Sequence, residues 1–425
     1  MIRCGLYEVD ITPTLGMEMP GHFVLRHSEG ILEKTYAYAA VFEDETGRAA
    51  LITCDLIGLA EELALPMRQK VAQKIATTTD KVMICCTHTH YGGPCETWGE
   101  FVHMNPAYIA FVSDRLADAA TCAFADAREV RLGVGFGVET TVAHYRDFIL
   151  PDGRYQTNSG AKEKKAFGEI DPTVGVLRID NADGEPYGLI ANYACHCDSV
   201  GKNGFRMISS DYPGAMREAL RRTYGQSFIP LFVNGFCGNI NHVDFENHTS
   251  DEPMYYRRMG RVLAAAVSEA YEKIRPTDGG IVRAAAESFT LPSRLANETE
   301  LAWAKTVKAE DSVIDNFYSS EIQRIAEIGV REIPVTVQAL RLGDLIVCGL
   351  PGEIYVEFGK ALRERLAGHP CFPANLANGS IGYVAIRELF QPGIYETRLC
   401  CSADTRPDAG YILTDRVAAL AESLL

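Results

Sequence analysis

KVMICCTHTHYGGP, residues Lys81 to Pro94, is the stretch on which the architecture turns. It opens as an apolar run of strand length and passes through two histidines spaced by one residue into a glycine turn. A buried strand that ends this way delivers imidazoles to the rim of a sheet. Side chains two apart on a strand face the same way, so His88 and His90 are expected to point into one cavity. One is then free to ligate a metal and the other is left for acid–base work, the plainer alternative being two histidines satisfied by ordinary hydrogen bonds.

The same event recurs along the chain. GLIANYAC, Gly188 to Cys195, is another apolar run, and it ends at His196. SFIPLFV, Ser227 to Val233, runs into the glycine-rich Asn234 to Asn239, and DLIVCGL, Asp344 to Leu350, runs into Pro351-Gly352-Glu353. Ligands of an open α/β sheet bind beyond the carboxyl ends of its strands, so these four ends are the expected walls of one site. Two histidines and a carboxylate among them make a plausible zinc set.

Strand-like stretches fall near 36–43, 49–55, 81–87, 130–135, 173–180, 187–195, 228–234, 281–290, 334–342 and 344–350, and residues 1–10 alternate like another strand. Helical periodicity marks 61–77, 106–127, 213–224, 253–274, 299–309, 314–327, 355–367 and 411–424. The pattern predicts an α/β fold, a mixed β-sheet flanked by helices, as one catalytic domain over 1–425 with 276–343 as a packed lobe. Asp211-Tyr-Pro213 reads as a helix start, with Asp211 either its cap alone or a group behind a metal histidine.

Composition bounds the function. The chain has 425 residues, 47% of them hydrophobic, enough for a large core, and no apolar stretch of membrane-spanning length. Its first ten residues lack the apolar segment of a signal peptide. Thirteen cysteines without a CxxC pair suit reduced thiols, and a cytoplasmic location is expected. A net charge of −15 disfavours nucleic acid and anionic membrane surfaces, leaving a small-molecule substrate as the expected partner.

In order, the landmarks Val9-Asp-Ile-Thr-Pro13, Thr87-His-Thr-His90, Tyr145-Arg146, Ala194-Cys-His196, Ser209-Ser-Asp211-Tyr-Pro-Gly214, Gly235 to Asn241, Pro351-Gly-Glu353, Tyr383 and Tyr395-Glu396 resemble the neutral/alkaline non-lysosomal ceramidase family, in particular its short bacterial members. The resemblance runs nearly end to end and implies the fold of that family's N-terminal domain without its C-terminal β-sandwich. It implies one zinc ion per chain, held by His88, His196, Glu353 and Tyr383. It also implies Tyr395, twelve positions after Tyr383, as a second active-site tyrosine, and Arg146 as an active-site arginine.

Chemistry is compatible with that transfer. Zinc takes nitrogen and oxygen donors, acidifies bound water to a pKa of roughly 7, and so provides a nucleophile for a carbonyl. His90 or Tyr395 would protonate the leaving group, with His90 also steadying the oxyanion. Arg146 would bind a substrate oxygen or carboxylate in a fork, its alternative being a surface ion pair.

One departure bears on substrate. Gly238-Asn-Ile-Asn-His242 stands where the resembled family carries Gly-Asp-x-Ser-Pro, so Asn241 replaces a substrate-engaging serine and is expected to contact a polar substrate through its amide, its alternative being a turn residue that steadies the glycine loop. The expectation is a zinc-dependent hydrolase cleaving the amide (N-acyl) bond of a soluble small molecule, with ceramide a poor substrate and no stable membrane association. A lactonase or carboxylesterase on the same site is the second expectation, and a non-catalytic, metal-stabilised binding protein is the alternative of another class.

Overall fold

The computed structural model describes residues 2–248, 250 and 252–425. Its larger sheet has eight strands: β1 (Arg3–Asp10), β2 (Tyr36–Asp44), β3 (Gly47–Cys54), β4 (Val82–Cys86), β5 (Arg128–Val138), β6 (Thr173–Asn181), β7 (Pro186–Tyr193) and β8 (Ile229–Asn234). They lie in the order β8-β7-β6-β5-β1-β2-β3-β4, with β3–β4 and β7–β8 parallel and the other pairs antiparallel.

Alternation sorts the side chains of these strands into layers. On β2, Ala37, Ala39 and Val41 face one side and Tyr38, Ala40 and Phe42 the other; on β4, Val82, Ile84 and Cys86 oppose Met83 and Cys85. The first set packs under α1 (Glu61–Lys74) and α2 (Pro106–Ala125), and the same face further along packs under α3 (Asp211–Tyr224) and α4 (Tyr255–Lys273). Helix α2 starts where the sequence allows it to, at Asn105, whose side chain accepts the Tyr108 N–H, followed by Pro106 in the first turn.

The opposite face meets a second sheet of β9 (Val282–Pro292), β10 (Glu332–Leu342), β11 (Leu345–Gly349) and β12 (Cys371–Ala374), in that order. Leu340, Leu342, Leu345 and Val347 point at the first sheet, while Val335, Val337, Ile346 and Cys348 point outward under α7 (Val356–Arg365) and α8 (Ala409–Ser423), the intervening α5 (Glu298–Ala304) and α6 (Val313–Ile328) joining β9 to β10. The result is four layers, helices on sheet on sheet on helices. Residues 276–343 supply β9, β10 and the α5–α6 pair. All thirteen cysteines are free thiols. Among the described residues no helix is long and apolar enough to cross a membrane.

Buried asparagines tie the two sheets together where β4, β7, β8 and β11 end. Asn192 donates to the Val233 and Pro373 carbonyls at 2.9 Å, and Asn234 donates to the Thr87 carbonyl at 3.0 Å. Asn375 donates its N–H to the Asn234 carbonyl and accepts the Ile354 N–H, both at 2.9 Å. Amides in a dry interior are stable only when paired, so each one fixes the relative position of the segments it joins. Below Thr87 the Asp55 carboxylate grips the Arg217 guanidinium of α3 in a bidentate pair, both bonds 2.8 Å and both side chains buried.

Candidate metal centre

The strand β4 stops at Cys86, before the histidines. His88 has φ +70°, so the Thr87–His90 segment is a turn, and strand alternation is not what brings the two imidazoles together. Backbone hydrogen bonds do it instead: the His88 N–H donates to the Leu56 carbonyl at 2.9 Å and the His90 N–H to the Cys197 carbonyl at 3.0 Å. Both rings still enter one cavity, as the spacing predicted, by a different route.

Three histidines present the same nitrogen. Nδ1 of His88 lies 2.7 Å from the Ile57 carbonyl, Nδ1 of His90 2.9 Å from the Gly21 carbonyl, and Nδ1 of His196 2.9 and 3.1 Å from the Cys237 and Ile240 carbonyls. A carbonyl only accepts, so each Nδ1 carries hydrogen and each neutral ring turns a bare Nε2 inward. The potential ligand nitrogens of the three rings lie within 4.8 Å of one another. Glu353 Oε2 sits 3.2 Å from both His88 Nε2 and His196 Nε2. Yet His196 Nε2 and Glu353 Oε2 are buried without a properly aligned hydrogen-bond partner. Two orphaned atoms from separate strand ends, facing His88 Nε2 from a third, are what a cation satisfies, and two imidazoles with a carboxylate suit zinc.

Charge within the cluster is shared unevenly. Burial pulls His88 down, but the Glu353 carboxylate outweighs it and leaves its pKa raised. Burial and the Arg146 charge push His196 down to about 4, and burial holds His90 well below the usual imidazole range despite Asp198. Glu353, which burial alone would raise, is held low by His88 and His196.

Tyr383 and Tyr395 line the same small cavity of 60 Å³ as His88, His90 and Glu353. Tyr383 pairs in register with Glu353 in a two-residue parallel ladder, and its ring stacks on His196 at 6.5 Å. Arg146 is buried behind it, not at the surface. Its Nε donates to Glu396 at 2.5 Å, and one Nη donates to the Gly238 carbonyl at 2.6 Å and the Tyr383 hydroxyl at 3.3 Å. The guanidinium fork is thus engaged within the protein.

Two sequence candidates are placed away from the converging nitrogens. Asp211 is the first residue of α3, with φ +55°, and accepts the Ser199 and Tyr212 N–H groups at 2.8 and 2.5 Å. The histidines take backbone carbonyls as their Nδ1 partners, so Asp211 shapes the loop after His196 and does not hold a ring. Asn241 is buried in a bridge to His144, and its Oδ1 accepts the His242 N–H at 2.6 Å.

Sequence reasoning missed three residues. Gly21, at φ +97°, approaches His90 so closely that a Cβ there would fall 2.5 Å from Nδ1. Asp198 lies 3.2 Å from His22 Nε2 and accepts the Tyr91 hydroxyl at 3.0 Å, beside His90. Glu96 sits on the cavity wall with its pKa raised to about 7 by burial and by the Glu353 charge. Gly21 is far in sequence from the histidine strands, whereas Asp198 and Glu96 follow those strands closely enough to have been flagged. A wider open depression at the 43–48 turn lies at the other ends of these strands and carries no histidine.

The model of the neutral/alkaline non-lysosomal ceramidase family, N-terminal part, matches residues 3–249. The chain belongs to that family. Among curated proteins it is similar to neutral ceramidase A of Dictyostelium discoideum, 25% identical over 269 residues that make up 58% of this chain and 36% of the relative, so it spans about a third of that protein. Among solved structures it resembles the neutral ceramidase of Pseudomonas aeruginosa with a TM-score of 0.75 and 19% identity, covering 100% of this chain and 74% of the other. A ceramidase complexed with C2 gives a TM-score of 0.77 and 20% identity, over 100% and 75% of the two chains. At such identity these likenesses speak for the fold. Glu353, Tyr383 and Tyr395 lie beyond the residues matched by the family model.

Proposed function

We propose that the protein is a zinc-dependent hydrolase that cleaves the amide bond of a polar small molecule. The observation that carries this reading is the pair of orphaned buried atoms, His196 Nε2 and Glu353 Oε2, set beside a third imidazole in a cavity at converging strand ends. Membership in a ceramidase family supports amide hydrolysis as the reaction class. His88, His196 and Glu353 would hold the ion, with Tyr383 as fourth donor. Bound zinc supplies Lewis-acid polarisation and an acidified water.

The chain's own groups do the rest. His90, neutral and with Nδ1–H fixed on Gly21, offers Nε2 to take a proton from water as it attacks the carbonyl and to return it to the departing nitrogen. Tyr395, whose hydroxyl burial keeps protonated, donates to the oxygen on which negative charge develops. Arg146 acts through Tyr383, orienting its hydroxyl, and Asn241 is a polar contact at the edge of the site. A cavity of 60 Å³ favours a compact polar substrate over a lipid, because an acyl chain gains about 0.8 kcal/mol per methylene only where a lined pocket receives it. The test is kcat/KM of the zinc-loaded protein on short N-acyl amines, lactones, simple esters and a fluorescent ceramide. A short amide is expected to lead; ceramide in first place overturns the substrate assignment, and an ester or lactone in first place overturns the amide.

A further inference from the structure

We infer that Glu96 makes the cavity selective for a substrate bearing a cationic nitrogen beside the scissile amide, an inference that rests on the hydrolase reading for its chemistry but not for its binding. Glu96 is part-buried on the cavity wall, and among the described residues its carboxylate makes no hydrogen bond and no ion pair. No lysine or arginine lines the cavity with it. A half-buried carboxylate with no lysine or arginine beside it on the wall is stabilised when a ligand brings the counter-charge.

The neighbours on the wall say what kind of counter-charge fits. Trp98, two residues on, and Tyr395 line the same cavity. Trp98 is braced by Phe23 at 4.5 Å and Phe101 at 5.4 Å, and Tyr395 by Tyr383 at 5.6 Å, so both rings are held in place. A carboxylate that shares a cavity wall with fixed aromatic rings suits an ammonium group, which is attracted to the negative face of a ring as well as to the charge. A divalent metal has its own donors a short distance away, in Glu353 and the imidazoles, and gains nothing from aromatic walls. The selected molecule is therefore an N-acylated compound whose amine or ammonium lies in the Glu96 corner while the acyl carbonyl faces His90.

Binding and turnover test this separately. Calorimetric titration of the zinc-loaded protein with choline and with its uncharged isostere 3,3-dimethylbutan-1-ol reads the corner by difference, because the hydroxyl that could reach the metal is common to both and only the ammonium is not. Choline is expected to bind roughly tenfold tighter, and Glu96→Gln is expected to remove the difference while Glu96→Asp keeps part of it. In parallel, the ratio of kcat/KM for N-acetylethylenediamine over N-propylacetamide should fall about tenfold in Glu96→Gln. Equal binding of the two isosteres by the unaltered protein overturns the inference, and so does loss of zinc from Glu96→Gln, which would make Glu96 a ligand. Selective choline binding without hydrolysis of any amide, ester or lactone upholds the cation corner and defeats the hydrolase assignment.

Discussion

His196→Ala removes one of the two nitrogens that lie 3.2 Å from Glu353 Oε2 and should empty the centre at ordinary chelator concentrations. Structural zinc sites of four protein donors bind with roughly 10–16 kcal/mol, so losing one donor of a comparable set costs about 3–4 kcal/mol, or two to three powers of ten in Kd. The imidazole also donates through Nδ1 to two backbone carbonyls, and its removal leaves those of Cys237 and Ile240 without that donor. Folding must therefore be checked alongside. The assay is zinc content by elemental analysis after dialysis against graded chelator, with circular dichroism on the same samples. The expected result is a chelator midpoint shifted by two to three decades in a protein with native-like secondary structure, and a similar shift for His88→Ala. A folded His196→Ala that releases zinc at the same midpoint as the unaltered protein would refute the assignment, because the orphaned Nε2 would then have no cation to serve.

His90→Ala should keep its zinc and lose turnover by roughly two to four powers of ten, the span of a general acid–base group; zinc lost in step with rate would make His90 a ligand, which its Nε2 at 3.3 Å from that of His88 permits geometrically. Asp55→Ala leaves the Arg217 guanidinium buried and unpaired, and should cost about 3–5 kcal/mol in urea unfolding, whereas a change under 1 kcal/mol would mean that the pair is not dry. In the metal-free protein His196 and His242, depressed by burial to about 4, make the unfolded chain bind more protons between about pH 6.5 and 4, whereas Glu96 and Asp211, raised by burial to about 7, make the folded chain bind more over the same interval. Glu96→Gln removes one of the raised carboxyls, so the stability of this variant relative to the unaltered protein should fall between about pH 7 and pH 5 in chemical denaturation, and an unchanged difference would contradict it.

What the sequence exposed and what it hid follow from the range of the forces involved. Hydrophobic alternation is local, so the strands at 36–44, 47–54, 173–181 and 332–342 and the long helices were readable within a residue or two. The grouping of β9 to β12 into a second sheet was not, because pairing partners far apart in sequence leave no periodic mark of their own. The site divides the same way. His88, His196 and Glu353 announce themselves as polar residues that interrupt apolar runs at strand ends, and the fold does gather them. The turn at His88 was hidden, since it is fixed by the Leu56 carbonyl on the His88 N–H and the Cys197 carbonyl on the His90 N–H, the second more than a hundred residues away. Arg146 was read as a free fork because nothing nearby in sequence carries its partner; Glu396 arrives from 250 residues later. Asp211 stayed open between capping a helix and backing a ring for a related reason. A carboxylate near a histidine strand can serve a ring or the backbone, and here the ring nitrogens were already taken by carbonyls, which left Asp211 to the N–H groups of Ser199 and Tyr212. Polar residues thus advertise that a site exists, while the division of labour among them is settled by which backbone groups the fold leaves free, and that is a property of the assembled layers.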